Sequence, residues 1–379
     1  MICVVAAVLF GLSLAEAAIL PERSVITDHT SAGSLGGKWY HRDDHPAHAL
    51  FKRQSIPGDG VTYPAIGSKQ WLSAYPQGLP DTSKLPQEWV NALNAAVAAG
   101  KIPDLAPSTN NAAGLPTYGS LKPTSPEVCS GTYQCQIAGD IWAAPDGFLG
   151  CGFDDGPLPP SPRLYEFLQQ QNQRATHFFI GENMLQYWQE FQQAITNGDD
   201  IAVHTWTHPY MTTLTNIELV AQFGWTMEII HNSTGGRLPR FWRPPYGDSD
   251  VRVHAIAKEL FGLTAIFWNQ DTNDWMLPGG TTLAKINTSM TKWLTGPKSP
   301  GLIILEHELS NDSVQAFIDA YPVMKANGWN ITSTAELAGN VPYQNADSST
   351  APVTPANGVI VGDINSSEAP STSSATSAP

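Results

Sequence analysis

Between residues 129 and 339, short apolar runs alternate with longer stretches of helical periodicity. Residues 148–153, 175–181, 201–203, 241–242, 263–268 and 302–305 read as short buried strands. Residues 184–196, 216–231, 251–260, 283–294 and 314–325 repeat their apolar positions at helical spacing. Strands separated by helices of about ten or more residues predict a parallel sheet, closed or nearly closed into a barrel. The expected fold class is α/β.

The flanks lack this alternation. Residues 2–14 are almost wholly apolar and lead to Ala15-Glu16-Ala17, a small-x-small pattern, so 1–18 is expected to be a secretory signal peptide. The run is too short to span a bilayer comfortably, and no transmembrane segment is expected elsewhere. Residues 19–126 read as an irregular extension and linker. Within it, 86–99 has helical spacing and stops at Gly100, and Lys52-Arg53 marks a candidate propeptide boundary. The α/β domain is expected at 127–340. From 341 to 379 Ser, Thr, Ala and Pro dominate, and this tail is expected to be disordered.

Composition narrows the partners. The chain has 379 residues, a net charge of −14 and only 14% charged residues, with 12 Trp and 11 Tyr. Such a chain is a poor candidate for nucleic acid or an anionic membrane surface. It suits a secreted protein handling neutral or cationic polymers. If Cys3 leaves with the leader, Cys129, Cys135 and Cys151 remain. Cys129 with Cys135 is the simplest pair, while a bridge from Cys151 to either is also open. Sequons at Asn232, Asn287, Asn311, Asn330 and Asn365 fit a secretory route.

Candidate chemistry follows the strands. Asp154-Asp155, His204, Arg243, Asp271 or Asp274, and His307 each come just after one, where parallel α/β folds place their sites. Adjacent Asp side chains serve one site only where the strand ends and turns, and Gly156-Pro157 supplies the turn. His204 and His208, one helical turn apart, can face one point. With one Asp they make a three-ligand set with an open position, the catalytic zinc pattern. The second Asp is then free as general base, His307 as general acid, and Arg243 can pair with the base.

Taken in order, the segments GFDDGP, HTWTH, RPPYGD, DTNDW and LEHE resemble the five motifs of the polysaccharide deacetylases (NodB-type homology, carbohydrate esterase family four). The neighbouring HTWTHPYMTTLT and FGWTME most resemble secreted fungal chitin deacetylases. The resemblance covers residues 138–339. It implies a distorted, incomplete (β/α) barrel of the NodB type and a bound Zn2+, with Co2+ or another divalent ion as alternatives. It implies Asp154 as base, Asp155, His204 and His208 as metal ligands, and Arg243 bracing the base. Asp274 would orient His307, the acid. Tyr246, through its backbone N–H, would meet the oxyanion, and Trp275, Leu305 and Pro245 would contact substrate. The implied reaction is removal of N-acetyl groups from chitin, giving chitosan and acetate. With the leader, the protein is expected to be secreted, extracellular or in the cell wall, and a monomer is expected.

Two positions depart from that pattern. Gly152 stands where Thr or Ser is usual, read as a loss of packing or of a hydrogen bond. His177 replaces an aromatic and is expected to be a core or rim histidine with a backbone partner, in preference to a third metal ligand. Asp271 is expected to hold its loop. Trp206, Tyr210, Trp225 and Trp268 are candidates for sugar stacking, with core packing favoured for Trp225 and Trp268. Rival activities are deacetylation of peptidoglycan, galactosaminoglycan or acetylxylan. A non-catalytic chitin-binding wall protein is the rival of a different class.

Overall fold

The eight strands of the main sheet are short and all parallel: β1 (Phe148–Asp154), β2 (Thr176–Phe179), β3 (Asp200–Val203), β4 (Phe241–Trp242), β5 (Thr264–Ala265), β6 (Gln270–Asp271), β7 (Leu302–Leu305) and β8 (Asn330–Ser333). This is a computed structural model, and it describes residues 57–361. The expected leader, the Lys52-Arg53 pair and residues 362–379 lie outside the described residues.

The strands lie in the order β5-β4-β3-β2-β1-β7-β6, with β8 also on β1. The two edge strands, β5 and β6, are consecutive in the chain. Residues 266–269 join them, about 17 Å of extended backbone. The sheet must therefore curl until its edges nearly meet. Residues 141–144 run along the seam, bridging Ile141 to Ile266 and Ala144 to Gly301. The result is the expected distorted, incomplete barrel.

Helices clothe the sheet: α1 (Gln87–Ala98), α2 (Ser161–Gln170), α3 (Gly181–Gln186), α4 (Trp188–Asn197), α5 (Asn216–Ser233), α6 (Val251–Phe261), α7 (Leu283–Leu294) and α8 (Asn311–Ala326). The stretch expected as one helix over 184–196 is broken at Tyr187, whose φ of −113° and ψ of 51° leave helical space. Helix α5 starts at a capping box, in which Thr215 and Glu218 satisfy each other's backbone N–H groups.

The extension is not a separate linker. Trp71, Tyr75, Leu85, Trp89, Leu93 and Ile102 join the same hydrophobic core as the sheet. Gly224 of α5 admits the Trp89 ring, since a Cβ there would sit 2.4 Å from it.

The expected disorder from 341 onward is corrected for 341–361. Asn345 donates to the Gly236 carbonyl at 2.8 Å, and buried Arg237 donates to the carbonyls of Thr234 and Ala351 at 2.6 Å. Tyr343, Val353 and Val359 are buried. Side chains from the barrel satisfy this aperiodic backbone, so no hydrophobic pattern is needed to hold it. Cys129 and Cys135 are bridged, and Cys151 is a buried thiol in β1.

Candidate active site

The end of β1 positions both carboxylates. Asp154 donates its N–H to the Glu306 carbonyl at 3.0 Å, and Glu308 donates to the Asp154 carbonyl at 3.2 Å, so 306–308 continues β7 alongside it. Asp154 and His307 are thereby paired across the strands. Asp155 then turns with φ 70°, a left-handed conformation that swings its side chain toward the face Asp154 serves. Asn183 of α3 holds the turn by donating to the Asp155 carbonyl at 2.7 Å.

His204 and His208 meet Asp155, but not through a helix. Residues 204–208 form a loop in which Thr205 and His208 have φ of 67° and 56°. The backbone doubles back, and each Nε2 comes to 3.2 Å from Asp155 Oδ1. These three ligand atoms all lie within 4.8 Å of one another, and they form the one such group found among the described residues. The set fits a divalent metal. His204 Nδ1 sits 2.7 Å from the Arg243 carbonyl, which only accepts, so Nδ1 carries the proton and Nε2 presents a lone pair. Asp155 Oδ1 is buried without a hydrogen bond. Burial opposes ionisation of Asp155, yet His204 and His208 outweigh it and hold the carboxyl well below its ordinary range.

Behind these groups stand two buried pairs. Arg243, fully buried, donates to Asp154 Oδ1 at 2.6 Å and to the Ile266 carbonyl at 3.1 Å, with its guanidinium 4.1 Å from the Phe178 ring centre. Asp274 accepts from both the ring and the backbone N–H of His307. Burial would lower the His307 pKa, but the Asp274 carboxylate, aided by Asp155 and Asp154, pushes it up to about 10.

The cleft above has a volume of about 380 Å³. Asp154, Asp155, His204, His208, Tyr246, Trp275, Leu305 and His307 line it, as expected, together with Asp271. Arg243 and Asp274 sit behind it. Pro245 is buried and off the wall, and Pro244 takes its place. Trp275 and Tyr246 are half-exposed at the rim, and Tyr210 stacks on Tyr246 at 4.2 Å. Trp206 is fully buried and cannot meet a sugar, whereas Trp268, expected in the core, lines the cleft. Trp225 packs against Trp89. Asp271 does hold its loop, accepting from the Asn273 N–H at 2.8 Å. A larger cavity of about 630 Å³ lies between residues 137–140 and α6, but none of the five motifs lines it.

Three further positions beneath the cleft complete this environment. His177 is a core histidine, but its partners are carboxylates: Glu308 at 2.8 Å and Asp199 at 3.6 Å. Burial opposes its charge, and these two push its pKa up to about 10. Glu306 is buried with neither oxygen hydrogen-bonded, and burial drives its carboxyl well above the usual range. Gly152 is not a loss of packing. The Thr334 hydroxyl occupies the space, 2.7 Å from where a Cβ would stand.

The polysaccharide deacetylase family model matches residues 143–266. Chitin deacetylase 3 of Cryptococcus neoformans var. neoformans serotype D is 39% identical over 325 residues, covering 83% of this chain and 76% of that one. The chain belongs to the polysaccharide deacetylase family. Among other relatives of the family, the Amylomyces rouxii chitin deacetylase is 34% identical over 258 residues, 65% of this chain and 61% of that one. The solved chitin deacetylase of Colletotrichum lindemuthianum aligns with a TM-score of 0.49 at 22% identity, over 54% of this chain and 94% of that one.

Proposed function

We propose that this chain is a metal-dependent chitin deacetylase, hydrolysing the N-acetyl amide of N-acetylglucosamine units to give chitosan and acetate. Its fungal relatives carry that name, and 39% identity over most of both chains supports the same substrate here. The observation that carries the mechanism is the convergence, in one cleft, of the Asp155–His204–His208 set with the Asp154–Arg243 and His307–Asp274 pairs.

Asp155, His204 and His208 would hold a divalent ion, with Zn2+ fitting the one-carboxylate, two-imidazole donor set. Bound there, the ion supplies Lewis-acid polarisation of the acetyl carbonyl and activation of water. Asp154 is the base. Arg243 occupies its Oδ1, leaving Oδ2, which lies 3.9 Å from His204 Nε2, to take the proton of the attacking water. His307 is the acid. Asp274 fixes Nδ1–H, so Nε2–H is the proton delivered to the leaving amine. The Tyr246 N–H is the donor to the developing oxyanion, and its φ of 58° sets the direction of that N–H. Trp275 and Leu305 wall the acetyl group. The protein is secreted and acts on the wall polymer as a monomer.

Acetate release compared across chitin oligosaccharide, acetylxylan and peptidoglycan tests the substrate class. Release from chitin oligosaccharide should dominate. Preferential release from another polymer overturns the substrate, and tight chitin binding with no acetate from any polymer favours the non-catalytic reading.

A further inference from the structure

Trp206 lies between the two histidine ligands, in a loop whose backbone is left-handed at Thr205 and His208. Non-glycine residues hold such conformations only where their surroundings over-determine them. Three supports are visible. Gln222 of α5 accepts from the N–H groups of Trp206 and Thr207 at 2.8 and 2.9 Å. Gly181 and Glu182, at the start of α3, donate to the carbonyls of Thr205 and Trp206 at 2.9 and 3.0 Å. The third support comes from outside the barrel. The Trp206 indole N–H donates to the Gly78 carbonyl of the extension at 3.0 Å, and the Tyr75 ring lies 6.2 Å from the indole.

The indole has no freedom of its own. It is fully buried, and Gly181 faces it so closely that a Cβ there would sit 2.1 Å from the ring. A shift of residues 75–78 therefore moves the indole, and the indole is one residue from Thr205 and two from each ligand. The same extension has a second anchor at the far end of α5, where the Trp71 indole donates to Ser233 Oγ at 3.0 Å while its ring packs edge-on against Tyr75 at 5.5 Å. Residues 71–78 thus tie the end of α5 to the ligand loop.

We infer that the N-terminal extension is a working part of the metal centre, with Trp206 and Tyr75 as positioning residues that hold His204 and His208 in ligating geometry. This rests on the metal-site reading above and assigns a role to a segment outside the stretch that the family model matches. Trp206 touches no substrate, so its effect must pass through the imidazoles.

The test is zinc affinity by chelator competition on the full secreted chain, with melting temperature read in parallel. Trp206→Phe keeps a ring but removes the donor, and Tyr75→Ala removes the extension's ring while leaving the ligand loop intact. Trp71→Phe keeps a ring beside Tyr75 and removes only the hydrogen bond to Ser233. Loss of outer support costs metal sites about 10- to 100-fold in affinity. Trp206→Phe and Tyr75→Ala should weaken zinc binding by about ten-fold or more, with kcat recovering at saturating zinc and KM unchanged. Trp71→Phe should lower the melting temperature and leave zinc affinity as in the parent. If Trp206→Phe does not fold, Tyr75→Ala carries the test. The inference is overturned if the folded variants bind zinc like the parent, or if Trp71→Phe weakens it equally. A parent chain that binds no zinc overturns the metal site instead.

Discussion

One carboxylate holds His307 twice: Asp274 Oδ1 lies 2.6 Å from the His307 ring Nδ1, and Asp274 Oδ2 accepts the His307 backbone N–H at 2.8 Å. The ring can neither flip nor lose its Nδ1 proton without breaking that grip. Its other nitrogen is therefore committed to the cleft.

The pH dependence of turnover follows. As the proposed acid, His307 must be protonated when the amine leaves, and the Asp274 carboxylate raises its pKa, so activity should be lost on the alkaline side as pH rises through that value. Asp274→Asn removes the charge that raises it. The alkaline limb should move to lower pH by about 1 to 3 pH units, with metal content unchanged. A pH–rate profile for the variant whose alkaline limb stays in place contradicts the role of Asp274.

The adjacent carboxylates should separate by substitution. Asp155→Ala should lose stoichiometric metal together with activity. Asp154→Asn should keep the metal and lose about 10²- to 10⁴-fold in kcat. Elemental analysis beside acetate release reads both. Metal lost from Asp154→Asn and kept in Asp155→Ala reverses the two assignments.

Gly152 and Thr334 should be coupled. A Cβ at 152 would sit 2.7 Å from the Thr334 hydroxyl, which is itself buried without a partner. Gly152→Ala should cost about 1 to 3 kcal/mol, and Thr334→Ala should recover most of it. Equal losses with and without Thr334, in denaturant melts, contradict the contact.

Beneath the cleft, Glu308→Gln leaves protonated His177 short of a charge partner in the core. Breaking a buried pair from one side costs about 3 to 5 kcal/mol. Because the folded His177 pKa of about 10 lies above its ordinary value near 6.5, the pair's stabilisation is complete below that ordinary value. It fades as pH rises through the folded one. The stability gap between parent and variant should be widest in acid and narrow toward alkaline pH. A gap independent of pH contradicts a charged His177.

Much of this was legible because local pattern and tertiary role agree. The strands at 241–242 and 302–305 and the helix at 283–294 sit where periodicity places them. Helix α2 escaped because its apolar residues are confined to 164–168, too short a run to show a period, and its burial comes from Leu164, Tyr165 and Leu168. Strand β8 escaped because Asn330–Ser333 is polar and is held by pairing with β1. Spacing placed His204 and His208 together, yet the device is a pair of left-handed residues, which no period encodes. Glu308, Asp199 and Gln222 act through contacts far apart in the chain, and single-sequence spacing is blind to those.

The central claim is that hydrolysis requires a metal held by Asp155, His204 and His208 together with Asp154 as the base beside it. Its most direct measurement is acetate release from a chitin oligosaccharide by the parent chain before chelation, after chelation and after zinc is restored, with Asp154→Asn run alongside. The parent should show release, loss and recovery, and the zinc-loaded variant should show release reduced by about the same 10²- to 10⁴-fold as its kcat. Undiminished release by the chelated parent, or parent-level release by Asp154→Asn, would contradict the claim.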